Sequence, residues 1–141
     1  MTYKITIPGV PVAKGRPRVT RHGTYTPEKT KAYQQKVQAC YRTQCDGGFA
    51  GGVPVLAQIH AYFPIPQSYP KKKKAALEGA FHLKKPDADN IAKAILDALN
   101  GLAYQDDSAV QLTGALKFYT NAAPRVELKL WTPEEDSYGT C

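Results

Sequence analysis

Acidic residues are concentrated in one short window of this 141-residue chain. Five of its twelve acids fall between Asp87 and Asp107, and Asp87 and Asp89 are only two positions apart. Carboxylate oxygens are the ligands that Mg²⁺ prefers, and two such ions about 4 Å apart can activate water and stabilise the leaving oxygen in phosphodiester hydrolysis. The window therefore predicts a divalent-metal site built from Asp87, Asp89 and the Asp106–Asp107 pair.

Lys93 and Asp97 continue the pattern at helical spacing. Lys93 is four residues after Asp89, and Asp97 is four residues after Lys93. A lysine in this place could stabilise negative charge that develops on a phosphate. The alternative is that the lysine forms an ordinary ion pair with an aspartate one turn away, which stabilises the helix by about 0.3 kcal/mol. Spacing alone favours the ion pair for both residues.

The entrance of a helix after Pro86 is expected to position the first two aspartates. An extended chain there would point Asp87 and Asp89 to the same side. A structural alternative is that Asp89 or Asn90 serves as the N-cap of the helix, which needs no metal. Capping by either residue leaves Asp87 and Asp107 unexplained.

The positive charge is also unevenly distributed. The net charge is +7, and residues 1–45 hold nine Lys or Arg against one acid, Glu28. Residues 14–22 combine cations with Gly and Pro, which predicts a basic loop or ribbon. Such segments bind polyanions, although each cation could equally lie on a solvated face. The candidates for contacts with a nucleic-acid backbone are Lys14, Arg16, Arg18, Arg21, Lys84 and Lys85.

Hydrophobic periodicity predicts the elements that surround these residues. Alternation predicts strands, and apolar residues at helical spacing predict helices, with Thr26 as the N-cap of the first helix and Gly101 ending the last one. The predicted elements are a strand over Tyr3–Ile7, a helix from Pro27 to about Thr43, a strand over Val53–Phe63, a short basic helix over 71–79 and a helix over Ile91–Asn100.

Two more alternating segments follow, Val110–Tyr119 and Arg125–Trp131, and the five residues between them favour a hairpin. The order β-α-β-α-β-β predicts an α/β (α+β) fold with a small mixed sheet and helices packed on one face. We expect a single domain over residues 1–131 and a flexible acidic tail over 132–141.

Location is predicted from absences in the sequence. No segment approaches the roughly 18 to 20 apolar residues of a membrane span. The cysteines, Cys40, Cys45 and Cys141, are odd in number and lack the spacing of a zinc site. We therefore expect reduced thiols in a cytoplasmic protein with no membrane partner.

Three motifs together resemble the signature of the RusA-type Holliday junction resolvases, in order and in spacing. Three further features, the opening strand, the basic loop and the Thr-Pro-Glu helix start, resemble one branch of this family, that of prophages and Gram-positive bacteria. The motifs are Asp87-Ala88-Asp89-Asn90-Ile91-Ala92-Lys93, Ile95-Leu96-Asp97-Ala98-Leu99 and Tyr104-Gln105-Asp106-Asp107-Ser108-Ala109-Val110.

The resemblance implies a homodimeric endonuclease that binds four-way DNA junctions and makes paired nicks. It implies Mg²⁺ as cofactor, with Mn²⁺ as a substitute. The matching metal ligands are Asp87, Asp89 and Asp107, the matching catalytic lysine is Lys93, and Asp106 and Asp97 remain supporting candidates. The chain departs from the family pattern at Ala88 and at Tyr104-Gln105, which affects packing more than chemistry.

Two other functions stay open. One is a structure-selective DNA-binding protein without catalysis, in which all the carboxylates are structural. The other is a metal-dependent nuclease for other branched nucleic acids, flaps or RNA, because the chemistry of the site does not encode the shape of the substrate.

Overall fold

The computed structural model describes residues 1–15, 18–21, 23–25 and 27–133. The order of the elements matches the predicted order, the predicted short basic helix is present, and the predicted basic loop or ribbon leads into a small hairpin. The elements are β1 (Thr2–Pro8), β2 (Arg18–Thr20), β3 (Gly23–Tyr25), α1 (Glu28–Gln44), β4 (Val55–Pro64), α2 (Lys71–Leu77), α3 (Ala88–Ala98), β5 (Val110–Thr120) and β6 (Arg125–Trp131), with one 3-10 turn at Asp107–Ala109.

The four long strands form one mixed sheet in the order β1-β6-β4-β5. β6 pairs antiparallel with both β1 and β4, whereas β4 and β5 are parallel. Parallel neighbours need a long crossover connection, and here α2 and α3 lie in that connection. The mixed sheet, the α+β class and the single domain are as predicted.

The predicted hairpin between the last two strands is wrong. β4 lies between β5 and β6, so these two strands do not pair with each other. Burial gives the physical reason: Val126, Leu128 and Leu130 of β6 are almost fully buried, which suits a central strand, while β5 is largely exposed or half-buried and suits an edge. The link between the strands therefore crosses the end of β4.

One face of the sheet carries the hydrophobic core. Alternate residues of β4, from Val55 to Phe63, are buried as predicted, and they join the buried residues of β1 and β6. The buried sides of α1 and α3 belong to the same cluster, so both helices pack on this face. The alternate residues on the opposite face, such as His60 and Tyr62, are only half-buried.

Two glutamines hold α1 against α3. The side-chain amides of Gln34 and Gln38, one helical turn apart, donate to the carbonyl oxygens of Ala94 (3.1 Å) and Ala98 (3.0 Å).

The first helix, α1, begins at Glu28, one residue later than predicted, and Pro27 is its N-cap residue. The predicted N-cap, Thr26, lies outside the described residues.

The two outer edges of the sheet are both in contact with other parts of the chain. On β1, Thr6 donates its N–H to Gln44 Oε1 and accepts from Gln44 Nε2, each at 2.8 Å. On β5, the segment of residues 79–82 pairs along the strand, with an isolated bridge between Phe81 and Phe118. Polar backbone groups at both edges thus find partners within the chain.

Within the described part of the chain, no helix is long and apolar enough to cross a membrane. Cys40 and Cys45 are free thiols, while Cys141 lies outside the described residues. The predicted acidic tail also lies outside them from residue 134 onward, so its flexibility stays a prediction.

Candidate functional site

The start of α3 positions the first two aspartates. Asp87 is the N-cap residue, with extended backbone (φ −70°, ψ 146°) and no capping hydrogen bond from its side chain. Asp89 already lies in the first helical turn. The expectation that an extended chain points both carboxylates to one side is therefore wrong, and so is the alternative that Asp89 or Asn90 is the N-cap. Both carboxylates remain exposed.

A groove of about 210 Å³ lies between α3 and the start of β5. It brings together Asp89 and Lys93 of the helix and Asp107 of the following loop. The Lys93 ammonium lies 3.9 Å from Asp89, and both side chains are about two-thirds exposed (63% and 68%). The lining residues are Asp89, Ala92, Lys93, Leu96, Asp97, Asp107, Val110 and Leu112.

Tyr104 holds the loop that carries Asp107 against α3. Its buried hydroxyl donates to the carbonyl oxygen of Leu96 at 2.6 Å, and its own carbonyl accepts from the N–H of Gly101 at 2.9 Å. Burial raises the pKa of Tyr104, and the Asp107 and Asp97 carboxylates raise it further. The phenol therefore stays protonated and remains a donor over the physiological pH range.

Adjacent aspartates in this loop face different surroundings. Asp107 lines the groove beside α3, whereas Asp106 lines a separate hollow with Gly51 and Gly52. The hydroxyl of Ser108 donates to the Asp106 carboxylate, and this hydrogen bond holds the pKa of Asp106 below its ordinary value. The two carboxylates are thus separated in space although they are neighbours in sequence.

Asp97 has a partner that its spacing from Lys93 does not indicate. Its carboxylate pairs with the ammonium of Lys14, and both side chains are about one-third exposed. The backbone N–H of Lys14 also donates to the carbonyl of Asn90 at 3.0 Å. The beginning of the basic segment is therefore fixed on α3, close to the groove.

A larger cleft of about 870 Å³ adjoins the turn that precedes Asp87. One wall is the segment from Val10 to Gly15, and Lys29 and Lys85 add cations. Lys84, the residue before Lys85, is exposed, and Arg21 is exposed at the tip of the β2–β3 ribbon. Arg16 and the side chain of Arg18 lie outside what the structure describes.

Lys117 is a site residue that the sequence analysis missed. It lies on β5, and its ammonium donates to the carbonyl oxygens of Lys84 (2.6 Å) and Pro86 (2.8 Å), the latter directly before Asp87. The Lys85–Pro86 peptide bond in this turn is cis. An isolated lysine in an alternating strand carries no signal for such a contact.

The donor set of the groove suits a hard cation. Asp89 and Asp107 offer carboxylate oxygens, and Mg²⁺ is usually held by one or two carboxylates with several retained waters. Among the described residues, no three His, Cys, Asp or Glu side chains are close enough together to hold one ion. The groove therefore fits a water-rich Mg²⁺ site and not a closed site of zinc type.

A small α+β domain with carboxylates and a lysine in one groove, beside a cation-lined cleft, has the features of a nucleic-acid-cleaving protein. The chain belongs to the RusA endodeoxyribonuclease family, whose model, described as Endodeoxyribonuclease RusA, matches residues 8–131. Nucleases of this family generally depend on a divalent metal ion. The chain is also similar to an uncharacterised protein, YqaN, of Bacillus subtilis (strain 168), with 38% identity over 135 residues that cover 90% of this chain and 94% of the relative.

Proposed function

We propose that this endodeoxyribonuclease resolves four-way DNA junctions by paired nicks, using Mg²⁺ and acting as a homodimer. The observation that carries the proposal is the shared groove of Asp89, Lys93 and Asp107 in a member of the RusA family. Two copies of such a site, one in each protomer, would act on opposed strands of a junction.

In this proposal Asp89 and Asp107 would hold Mg²⁺ from two sides of the groove. Asp87 lies at the helix entrance and does not line the groove, so it would act on the ion only through a water that the ion retains. When bound, the metal lowers the pKa of a water and stabilises charge on the phosphodiester. Lys93 stabilises negative charge that develops on the phosphate. Its exposed ammonium is only loosely paired with Asp89, which leaves it available to the substrate.

The surroundings of the other acids favour Asp107 over Asp106 as a ligand. Asp106 faces away from the groove and already accepts a hydrogen bond from Ser108. Asp97 is paired with Lys14, so we assign it a structural role. We assign DNA contacts to the exposed cations Lys84, Lys85 and Arg21. Arg16 and Arg18 are assigned contacts on their charge in the sequence alone, and Lys14, which is paired with Asp97, a partly neutralised contact.

One observation favours a second candidate, a junction-binding protein without catalysis. Asp89 and Asp97 are each paired with a lysine, Lys93 and Lys14, and ion pairs of this kind are explained by a structural role alone. Such a protein would bind junctions as tightly after neutralisation of a groove carboxylate as before, and it would leave the DNA intact at every Mg²⁺ concentration.

The test is cleavage and binding of a labelled synthetic four-way junction beside linear duplex, a flap and an RNA hairpin, with Mg²⁺ or EDTA. We expect Mg²⁺-dependent symmetric nicks in the junction alone. Asp89→Asn, Asp107→Asn and Lys93→Met should each lower the cleavage rate by about 100-fold or more while junction binding persists.

Asp106→Asn is the matched control, because it removes a neighbouring charge that faces away from the groove. It should cleave within a few-fold of wild type. Binding without cleavage under any metal would refute the nuclease assignment, and equal cleavage of flaps or RNA would refute junction selectivity. The homodimer would be refuted if the free protein sedimented at the mass of one chain and the complex at the mass of one junction with one chain.

A further inference from the structure

The turn before Asp87 is joined to β5 by a series of contacts. Residues 79–82 pair with the strand through backbone hydrogen bonds, including Gly79 N–H to Tyr119 O (3.0 Å) and His82 N–H to Lys117 O (3.0 Å). The ring of Phe81 also stacks on Phe118 with centroids 5.4 Å apart. Up to His82, the segment is therefore held like an additional short strand.

Beyond His82 this backbone pairing ends, within the part of the chain that the structure describes. Leu83 is 89% exposed and makes no contribution to the core. Lys84 and Lys85 are exposed as well. Among the described residues, the segment from Leu83 to Pro86 makes no backbone–backbone hydrogen bonds that would fix its path, and only the His82 ring also interacts with the backbone of Lys84.

The Lys117 side chain supplies the attachment at this point. Lys117 pairs with Ala61 in the sheet, so its side chain lies on the same face as the buried Ala61, the face on which α3 packs. Its ammonium bridges the carbonyl oxygens of Lys84 and Pro86, which fixes two points of the turn. Among the described residues Lys117 has no carboxylate partner within ion-pair distance.

Hydrogen bonds from a charged donor are roughly twice as strong as neutral ones, so this bridge is an effective clamp on a solvent-exposed turn. We propose that Lys117 is a positioning residue that holds the Lys84–Pro86 turn and thereby fixes Asp87 at the entrance of α3. The inference rests on the proposed function, because it assigns the clamp to the geometry of the metal site. It assigns Lys117 no contact with substrate.

Two measurements on the full chain test the clamp. The first is amide hydrogen exchange, in metal-free protein, of peptides that cover residues 83–91 and, for reference, α1. The second is the Mg²⁺ concentration that gives half-maximal junction cleavage. Lys117→Met removes the donor and keeps much of the apolar side chain, whereas Lys117→Arg can still donate to both carbonyls.

The matched control is Lys129→Met, a half-buried lysine on β6 that contacts the ring of Trp131. We expect Lys117→Met to accelerate exchange over residues 83–91 but not in α1, and to raise the half-maximal Mg²⁺ concentration by about 10-fold to 100-fold. Lys117→Arg should keep both the slow exchange over residues 83–91 and the half-maximal Mg²⁺ concentration close to the wild-type values. Lys129→Met should behave like wild type in both measurements, and all variants should bind the junction in EDTA as wild type does.

Wild-type exchange in Lys117→Met would overturn the clamp. Faster exchange with an unchanged Mg²⁺ requirement would also overturn the proposal, because Lys117 would then only stabilise the turn. If wild type itself fails to cleave, the proposed function fails, and the exchange data still decide whether Lys117 fixes the turn. If wild type cleaves and Lys117→Met matches it in both measurements, only the positioning role fails.

Discussion

Asp106 and Asp107 illustrate how much the role of a residue depends on contacts that the chain order does not show. The two carboxylates are neighbours in sequence, yet Asp107 faces α3 and Asp106 faces Gly51 and Gly52. The sequence alone showed that the Asp106–Asp107 pair, in the loop after a helix, could take part in chemistry. The choice between the two came from the family resemblance, because the direction of each side chain depends on the turn at residues 107–109.

The lysines also differ in how far their contacts could be predicted from the sequence. Lys93 and Asp89 belong to one helix, so their contact follows from helical spacing and could be predicted. Lys14 and Asp97 are 83 positions apart, and Lys117 and Lys84 are 33 apart. Such pairs form only when distant parts of the chain pack together, and no local pattern indicates them.

His82 gives a residue-scale prediction for the dependence of stability on pH. Its ring stacks on Phe63 with centroids 4.1 Å apart, and burial lowers its pKa, with Lys117 and Lys84 lowering it further. Below the ordinary histidine pKa of about 6.5, the unfolded chain binds a proton that the folded chain does not. The free energy of unfolding should therefore decrease as the pH falls from about 6.5 toward the lowered pKa.

The measurement is the urea midpoint of unfolding at pH 7.5 and at pH 5.5. His82→Phe keeps a stacked ring and removes the titrating group, so the difference between the two midpoints should shrink. His82→Leu, with a different shape, should shrink it in the same way. An undiminished difference in both variants would show that other groups cause the pH dependence.

At the scale of elements, the periodicity of the sequence predicted most of the fold. The buried residues of α3 recur at helical spacing, those of β4 alternate, and both patterns are strong because one face of each element is buried. The pairing of β5 could not be predicted in this way. The four-residue link between Thr120 and Arg125 is compatible with a hairpin or with a crossing over β4, and the burial of the neighbouring strands decides between them.

The end of α3 gives an element-scale prediction. Gly101 has φ of 80°, a conformation that costs a residue with a β-carbon about 1 kcal/mol or somewhat more. Gly101→Ala should therefore lower the free energy of unfolding by about 1 kcal/mol. Because Gly101 begins the loop that leads to Asp107, the substitution should also lower junction cleavage.

Gly114→Ala is the matched control, since Gly114 lies in β5 without positive φ and has open space where a β-carbon would lie. It should leave the stability unchanged or raise it slightly. Both values come from urea unfolding curves monitored by tryptophan fluorescence. Equal losses in the two variants would contradict the conformational explanation.

At the scale of the whole molecule, the distribution of charge matters more than the net value of +7. Lys85 lines the cleft that adjoins the turn before Asp87, and Lys84 precedes it in the chain. The lysines of α2 instead lie on a short helix with no buried residue. If the cleft carries the DNA backbone, these two sets of lysines contribute differently to binding although they carry the same charge.

The prediction concerns the dependence of junction affinity on salt. Each phosphate contact contributes about 0.9 to the slope of log affinity against log salt, so replacing Lys84 and Lys85 together with Gln should reduce that slope by about 1.8. The same double replacement at Lys71 and Lys72 should change it much less. Fluorescence anisotropy in EDTA over a series of KCl concentrations measures both, and equal changes would show that the cleft has no privileged role.

The hydrogen bonds between Gln44 and Thr6 have a consequence for assembly. The side-chain amide of Gln44 imitates a peptide group, donating and accepting as a neighbouring strand would. An exposed edge strand is a template for uncontrolled strand addition and fibril growth. The final residue of α1 closes this template at the middle of β1, so a second copy cannot continue the sheet there without first displacing Gln44.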